Sequence, residues 1–332
     1  MKRILALGGA GFIGSYAVRK LLASGHEVVV VDTFEKYGAI EHDFFSDPKC
    51  KVVRKDVRSM YPIEFRGYDV VLCFAALIGG IKYFHKIPYR IARDNSEILA
   101  HAIDGTLAAA PKATFVYFSS SMVYERMQRP VTEEDARQQP VPITNYGMQK
   151  LFGEYLVRGA HEEMGLQYLT LRPFNAVGSG ELPDVTSDGS VDFGMAHVIP
   201  DFCYKALSQQ TPFEIFGDGE QVRTFTHARD IADALDLLVA HNVVNDDFNI
   251  CGDATMKMGD LAQLVWARVN PGVAFPGFRS MDVPPSDVRF RIGRSEKLTA
   301  RLGWKPEHAI EFIVDDTYRY LERMMKFPVG RA

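Results

Sequence analysis

Ile4-Leu5-Ala6-Leu7 runs directly into Gly8-Gly9-Ala10-Gly11-Phe12-Ile13-Gly14, and Ser15 to Ala23 follows with helical character. The order is strand, glycine turn, helix. Glycines at 8, 11 and 14 let the backbone approach a pyrophosphate closely, while the N-terminus of the following helix presents unpaired N–H groups and a partial positive charge. A second apolar run, Val28 to Val31, ends in Asp32. That carboxylate falls about 20 residues after the loop, where it can reach both hydroxyls of an adenine ribose. Its charge, with Glu35 nearby, would repel a 2′-phosphate, so the pattern predicts NAD rather than NADP. Three spaced glycines can also be a plain tight turn that packs a helix on a sheet. The order of the elements and the position of Asp32 are what make them a dinucleotide site.

Working outward, further apolar runs lie at Lys51 to Arg54, Val70 to Ala76 and Thr114 to Phe118, alternating with helical stretches. This predicts an α/β fold, a Rossmann-type doubly wound parallel sheet. A chain of 332 residues that is 47% hydrophobic is long enough for such a core. A net charge of -4 provides no basic field for nucleic acid. Cys50, Cys73, Cys203 and Cys251 show no paired or metal-ligand spacing, which predicts no disulfide framework, no metal and a cytoplasmic setting. No window holds about 18 uninterrupted apolar residues, so no membrane span is expected. Gly178 to Val191 and Pro271 to Ser286 read as loops or lids.

The C-terminal ends of the parallel strands should line the cofactor crevice. Asp56-Val57, Ala75-Ala76 and Ser119-Ser120-Ser121 fall there. Serines at a strand end can bind a reacting oxygen, or they can cap the next helix. Asn145 to Arg158 reads as a helix with Tyr146 and Lys150 one turn apart on one face. An ammonium beside a phenol favours the phenolate, which makes Tyr146 a candidate general base. Tyr16 and Lys20 share the same spacing, and spacing alone does not separate the two pairs.

Taken together the residues resemble the extended short-chain dehydrogenase/reductase family, the nucleotide-sugar epimerases and dehydratases. The resemblance covers nearly the whole chain. Its marks are Gly8-x-x-Gly11-x-x-Gly14, Asp32, Asp56-Val57, Ser119-Ser120-Ser121-Met122-Val123-Tyr124, Tyr146-x-x-x-Lys150, Leu171-Arg172-Pro173-Phe174-Asn175 and Ile215-Phe216-Gly217-Asp218-Gly219-x-x-x-Arg223-x-Phe225-Thr226. The resemblance implies Ser120, Tyr146 and Lys150 as the catalytic set. It implies Phe12, Ile13, Asp32, Asp56, Val57, Ala75, Asn95 and Phe174 as NAD contacts, and Asn175, His197, Arg223 and Asp287 as contacts to a nucleotide-sugar substrate. In such chemistry Tyr146 accepts a sugar hydroxyl proton as the same carbon is oxidised, and its phenol would have to be lowered to about 7, with Lys150 and the cationic nicotinamide as the cause.

Departures from the family pattern narrow the reaction. Dehydratases and decarboxylases of the family carry carboxylates where Ser121 and Met122 stand, and 3,5-epimerases and fucose synthases carry a cysteine at Met122. What remains favoured is oxidation and re-reduction at one carbon, a 4-epimerase. Alternatives are a 3,5-epimerase, dehydratase or reductase of the same family, or a non-catalytic NAD-binding sensor. An arginine common three residues before Asp287 is replaced by Pro284, with Arg289 or Arg279 as candidate substitutes. The resemblance divides the chain into residues 1–177 and 223–252 for NAD and 178–222 and 253–332 for a smaller C-terminal α/β substrate lobe, and implies a homodimer through the helices near Ile87 to Leu107 and Asn145 to Arg158.

Overall fold

The computed structural model describes residues 1–36, 42–186, 190–283 and 287–325. In chain order the strands are β1 Arg3–Leu7, β2 Glu27–Asp32, β3 Cys50–Arg54, β4 Val70–Cys73, β5 Thr114–Phe118, β6 Gln167–Pro173, β7 Ala176–Val177, β8 Phe213–Phe216, β9 Val222–His227, β10 Asp246–Ile250, β11 Ala254–Lys257, β12 Phe278–Met281 and β13 Phe290–Arg291. The α-helices are α1 Phe12–Ala23, α2 Ile81–Lys86, α3 Pro88–Ala109, α4 Asn145–Met164, α5 Val198–Leu207, α6 Ala228–Ala240, α7 Met258–Val269, α8 Glu296–Leu302 and α9 Ile310–Met324.

Seven parallel strands form the large sheet in the order β10-β6-β5-β4-β1-β2-β3. Its central strands β1, β2, β4 and β5 are mainly apolar runs because both faces are covered. In β1, Ile4 and Ala6 point into one core with α1 and α6, while Leu5 and Leu7 point into the other with α3 and α4, as the period of two in a strand requires. The strand order turns back between β1 and β4, which opens a crevice at their C-terminal ends. The glycine loop after β1 sits at that turning point.

A second core of α5, α7 and α9 with β8 and β9 covers one side of the crevice. Its strands are β9, flanked by β7, β11 and β13, and the pair β8–β12. β9 therefore belongs to this second group, whereas α6 and β10 join the large sheet. So does α8, whose Leu298 packs in the first core together with Trp304. The stretch Pro271 to Ser286, expected as a loop, contains β12, which pairs in parallel with β8. Its Gly- and Pro-rich flanks hide a short edge strand that only the partner stabilises. Pro284 lies outside the described residues.

Candidate active site

The glycine loop is built by close backbone approach. Gly8, at φ +77°, donates its N–H to the Val31 carbonyl at 2.8 Å, and a Cβ there would stand 2.6 Å from the Ala75 nitrogen. A Cβ on Gly14 would lie 2.5 Å from the Gly8 carbonyl oxygen. At Gly11 it would meet only that same oxygen, at 3.3 Å, and otherwise stand into the crevice. Helix α1 begins after Gly11 with no side-chain cap, so its first N–H groups are left for an anion. Asp32 ends β2 with one carboxylate oxygen on the Ala10 N–H at 3.0 Å and the other on the Phe34 N–H at 2.9 Å. Each oxygen keeps acceptor capacity for a ribose hydroxyl. A cradle that side chains would fill, an open helix N-terminus and an aspartate at the crevice edge fit NAD.

The crevice has a volume of about 400 Å³, and it gathers Gly8, Gly11, Phe12, Ile13, Gly14, Asp32, Asp56, Val57 and Ala75 along one arm. Asp56 is held by Arg58 at 2.6 Å, which keeps its carboxyl below the usual range. Two expected cofactor contacts are placed elsewhere. Asn95 is buried and clamps the main chain of Leu77, accepting from its N–H at 2.6 Å and donating to its carbonyl at 3.1 Å. Phe174 is fully buried beside Tyr124 and Cys251, where a Cβ on Gly293 would come within 2.6 Å of its ring. Neither side chain lines the crevice: Asn95 holds the main chain of Leu77, and Phe174 packs with Tyr124 and Cys251.

Ser120, Tyr146 and Lys150 meet in the middle. Thr144 caps α4 by accepting from the Gly147 N–H at 3.0 Å, and Gly165 ends the helix in the left-handed conformation. This fixes Tyr146 in the first turn, 2% exposed, its ring stacked on Phe84 at 4.4 Å and hydrogen-bonded to Ser120. Among the three serines, Ser120 is the one hydrogen-bonded to the tyrosine, while Ser119 is tied to the buried Glu154 at 2.6 Å. Lys150 donates to the Phe118 carbonyl at 2.7 Å, and burial lowers its ammonium to about 8.

The expectation that Lys150 lowers the Tyr146 phenol is not what the protein's own groups produce. Burial pushes Tyr146 above the usual phenol range, and the opposing pulls are the Ser120 hydrogen bond and the charge of Arg291. Desolvation acts on a fully buried ring, whereas Lys150 directs its charge at a carbonyl.

At the far side Arg223 pairs with Asp287 at 3.1 Å, Asp287 also accepts from Gln221 at 3.0 Å, and Asn175 donates to the Thr224 carbonyl at 2.6 Å. His197 lines the crevice 31% exposed, its Nδ1 2.5 Å from the buried Glu181. Neither candidate substitute for the missing arginine reaches the crevice. Arg289 pairs with Asp218 and Arg279 with Glu214, both on the surface. Beside Arg223 the crevice is lined by a further guanidinium, Arg291, which the sequence does not point to, as it does not point to Glu181 behind His197. Their partners, Asn175 and His197, lie 116 and 16 residues away, and no local pattern links them. The decoy pair is far from this centre in kind. Tyr16 donates to the Ser179 carbonyl at 2.8 Å, and Lys20 pairs with Asp233 at 2.6 Å.

A family model described as NAD dependent epimerase/dehydratase matches residues 4–251. A UDP-glucose 4-epimerase of Lacticaseibacillus casei is 30% identical, over 96% of each chain. Among solved structures, a UDP-N-acetylglucosamine 4-epimerase from Methanobrevibacter ruminantium M1, in complex with UDP-N-acetylmuramic acid, superposes with a TM-score of 0.83 at 25% identity, covering 98% of this chain and 99% of that one. A UDP-glucose 4-epimerase of Thermotoga maritima with UDP-glucose gives 0.81 at 24% identity, covering 97% and 99%, a likeness of fold alone.

Proposed function

The chain belongs to the NAD dependent epimerase/dehydratase family, and we propose that within it the protein is a nucleotide-sugar 4-epimerase that works by transient oxidation to a 4-keto sugar and re-reduction. Its cofactor is NAD, held by the loop from Gly8 to Gly14, by Asp32 and by the walls at Asp56, Val57 and Ala75. When bound, NAD supplies the two-electron acceptor and donor at the reacting carbon. Tyr146 takes the proton of the C4 hydroxyl and later returns it, Ser120 holds the oxygen, and Lys150 orients the nicotinamide ribose. Arg223, held by Asp287, and Asn175 would grip the diphosphate and sugar.

The observation that carries this reading is what accompanies Tyr146. Ser121 and Met122 line the crevice beside it, and neither offers a carboxylate or thiol to remove a carbon-bound proton. Oxidation, turnover of the ketone and re-reduction need no such group. A second reading is favoured by His197, which the buried Glu181 orients as an acid/base pair would be oriented. It would make the protein a reductase or 3,5-epimerase. Product analysis by NMR across UDP-, GDP-, CDP- and dTDP-sugars tests the choice. Interconversion of two C4 epimers without added NADH supports the 4-epimerase, while stoichiometric NADH consumption or loss of water or CO2 refutes it.

We take the assembly to be a homodimer. Met148, Phe152 and Tyr155 on α4 stand exposed at helical spacing, with Tyr89 exposed on α3, which suits burial against a second copy. Four unpaired cysteines accord with a cytoplasmic setting, and among the described residues no helix is long and apolar enough to cross a membrane.

A further inference from the structure

Arg291 ends β13 as the register partner of Arg223 on β9, so two guanidiniums stand side by side at the sugar end of the crevice. Arg223 has a counter-charge in Asp287. Among the described residues Arg291 has none. Its hydrogen bond from Nη1 goes to a neutral acceptor, Asn175 Oδ1, at 3.0 Å, and its Nε is buried without a partner. The two carboxylates near enough to feel its charge are already engaged. Glu125 accepts from the Ile143 N–H at 2.5 Å, the Thr144 N–H at 2.8 Å and the Thr144 hydroxyl. Asp287 holds Arg223 and Gln221. A partly buried guanidinium whose Nε has no partner and whose charge has no counter-charge is costly, and its planar fork matches a carboxylate.

We propose that Arg291 is a specificity-determining side chain that binds a carboxylate carried by the sugar, so that the preferred substrate is a nucleotide-linked uronic acid. This rests on the nucleotide-sugar reading above. Arg291 lies within electrostatic reach of Tyr146 and on the same wall as Asn175. A base acting at C4 of a hexuronate has the carboxylate carbon attached to the adjacent C5. The diphosphate of the same substrate is left to Arg223. Met122, apolar, and Ser121, uncharged, give the carboxylate no repulsion from that side of the crevice.

The test measures binding to NAD-loaded protein by calorimetry for two matched pairs, UDP-glucuronate against UDP-glucose and GDP-mannuronate against GDP-mannose, with UDP and GDP as controls. The wild type should bind the acid member of one pair at least tenfold more tightly than the neutral member. Arg291→Gln should lose at least tenfold for the acid and under twofold for the neutral sugar, and Arg291→Lys should recover part of the loss. Equal affinity of the wild type for acid and neutral members overturns the proposal. So does a parallel loss for both members and the bare diphosphate in Arg291→Gln, which would place the guanidinium on the diphosphate. Should Arg291→Gln not fold, the wild-type preference and Arg291→Lys decide. Binding of neutral members alone overturns the proposal and leaves the nucleotide-sugar reading standing, whereas that reading falls only if CDP- and dTDP-sugars fail to bind as well.

Discussion

Helices α1 and α4 each carry a tyrosine and a lysine four residues apart, and they have opposite surroundings. On α1 the tyrosine is tied to the Ser179 carbonyl, and the lysine lies at the surface with a carboxylate that raises its pKa. On α4 the tyrosine meets Ser120 at the crevice, and the lysine is buried against the Phe118 carbonyl with its pKa lowered. The helix ends differ as well. The N-terminus of α1 has glycine and no side-chain cap, which suits an anion, whereas Thr144 closes that of α4, which suits a fixed side chain. The same four-residue spacing thus makes a scaffold in one place and, in the function proposed, a proton-transfer centre in the other. What differs is the strand end each helix faces.

Replacing each tyrosine by phenylalanine separates the two most widely. Tyr146→Phe should lower kcat by about 1,000-fold with NAD still bound, the middle of the range for removal of a general acid–base group. Tyr16→Phe should leave kcat near wild type and cost about 1 kcal/mol of stability, read by urea denaturation. Equal losses from both would end the distinction. Next come the lysines: Lys150→Met should cost about 100-fold in kcat, while Lys20→Met removes a surface ion pair worth about 0.5 kcal/mol and leaves turnover unchanged.

The lysines should also respond to pH with opposite signs. Lys150 has a folded pKa of about 8 against 10.5 unfolded, so between those values the unfolded chain binds more protons and stability rises with pH. Lys20 is raised in the folded state, so its contribution is present below the unfolded value and is lost as pH rises through the folded one. Going from pH 7.5 to 9.5, the wild type should therefore gain on the order of 2 kcal/mol relative to Lys150→Met. No such relative gain is expected against Lys20→Met. The caps offer a further test: Thr144→Ala should cost about 1 kcal/mol, read as a lower thermal midpoint.

The parts of the site built from contiguous sequence were legible. The strand, glycine loop and helix around Gly8 to Gly14 announce themselves because backbone approach demands glycine at fixed offsets, and Asp32 follows at the next strand end. Ser120, Tyr146 and Lys150 were legible through resemblance, though not the burial that raises the Tyr146 phenol. Asn95 and Phe174 were placed at the cofactor because sequence position does not tell which face of an element a side chain takes, and both turn inward. Arg291 was overlooked for the opposite reason. It lies in a two-residue strand after an irregular stretch, and its significance comes from Glu125 and Asp287 being engaged by other groups.

The central claim is that Tyr146 moves only an oxygen-bound proton while one carbon is oxidised and reduced in place. Its most direct test is the fate of a deuterium label at C4 of the substrate, followed by NMR in ordinary water through many turnovers. The account predicts that the C4 epimer forms with the label kept at C4 and no solvent hydrogen entering C3 or C5. Loss of the C4 label to water, or solvent hydrogen at C3 or C5, would contradict it.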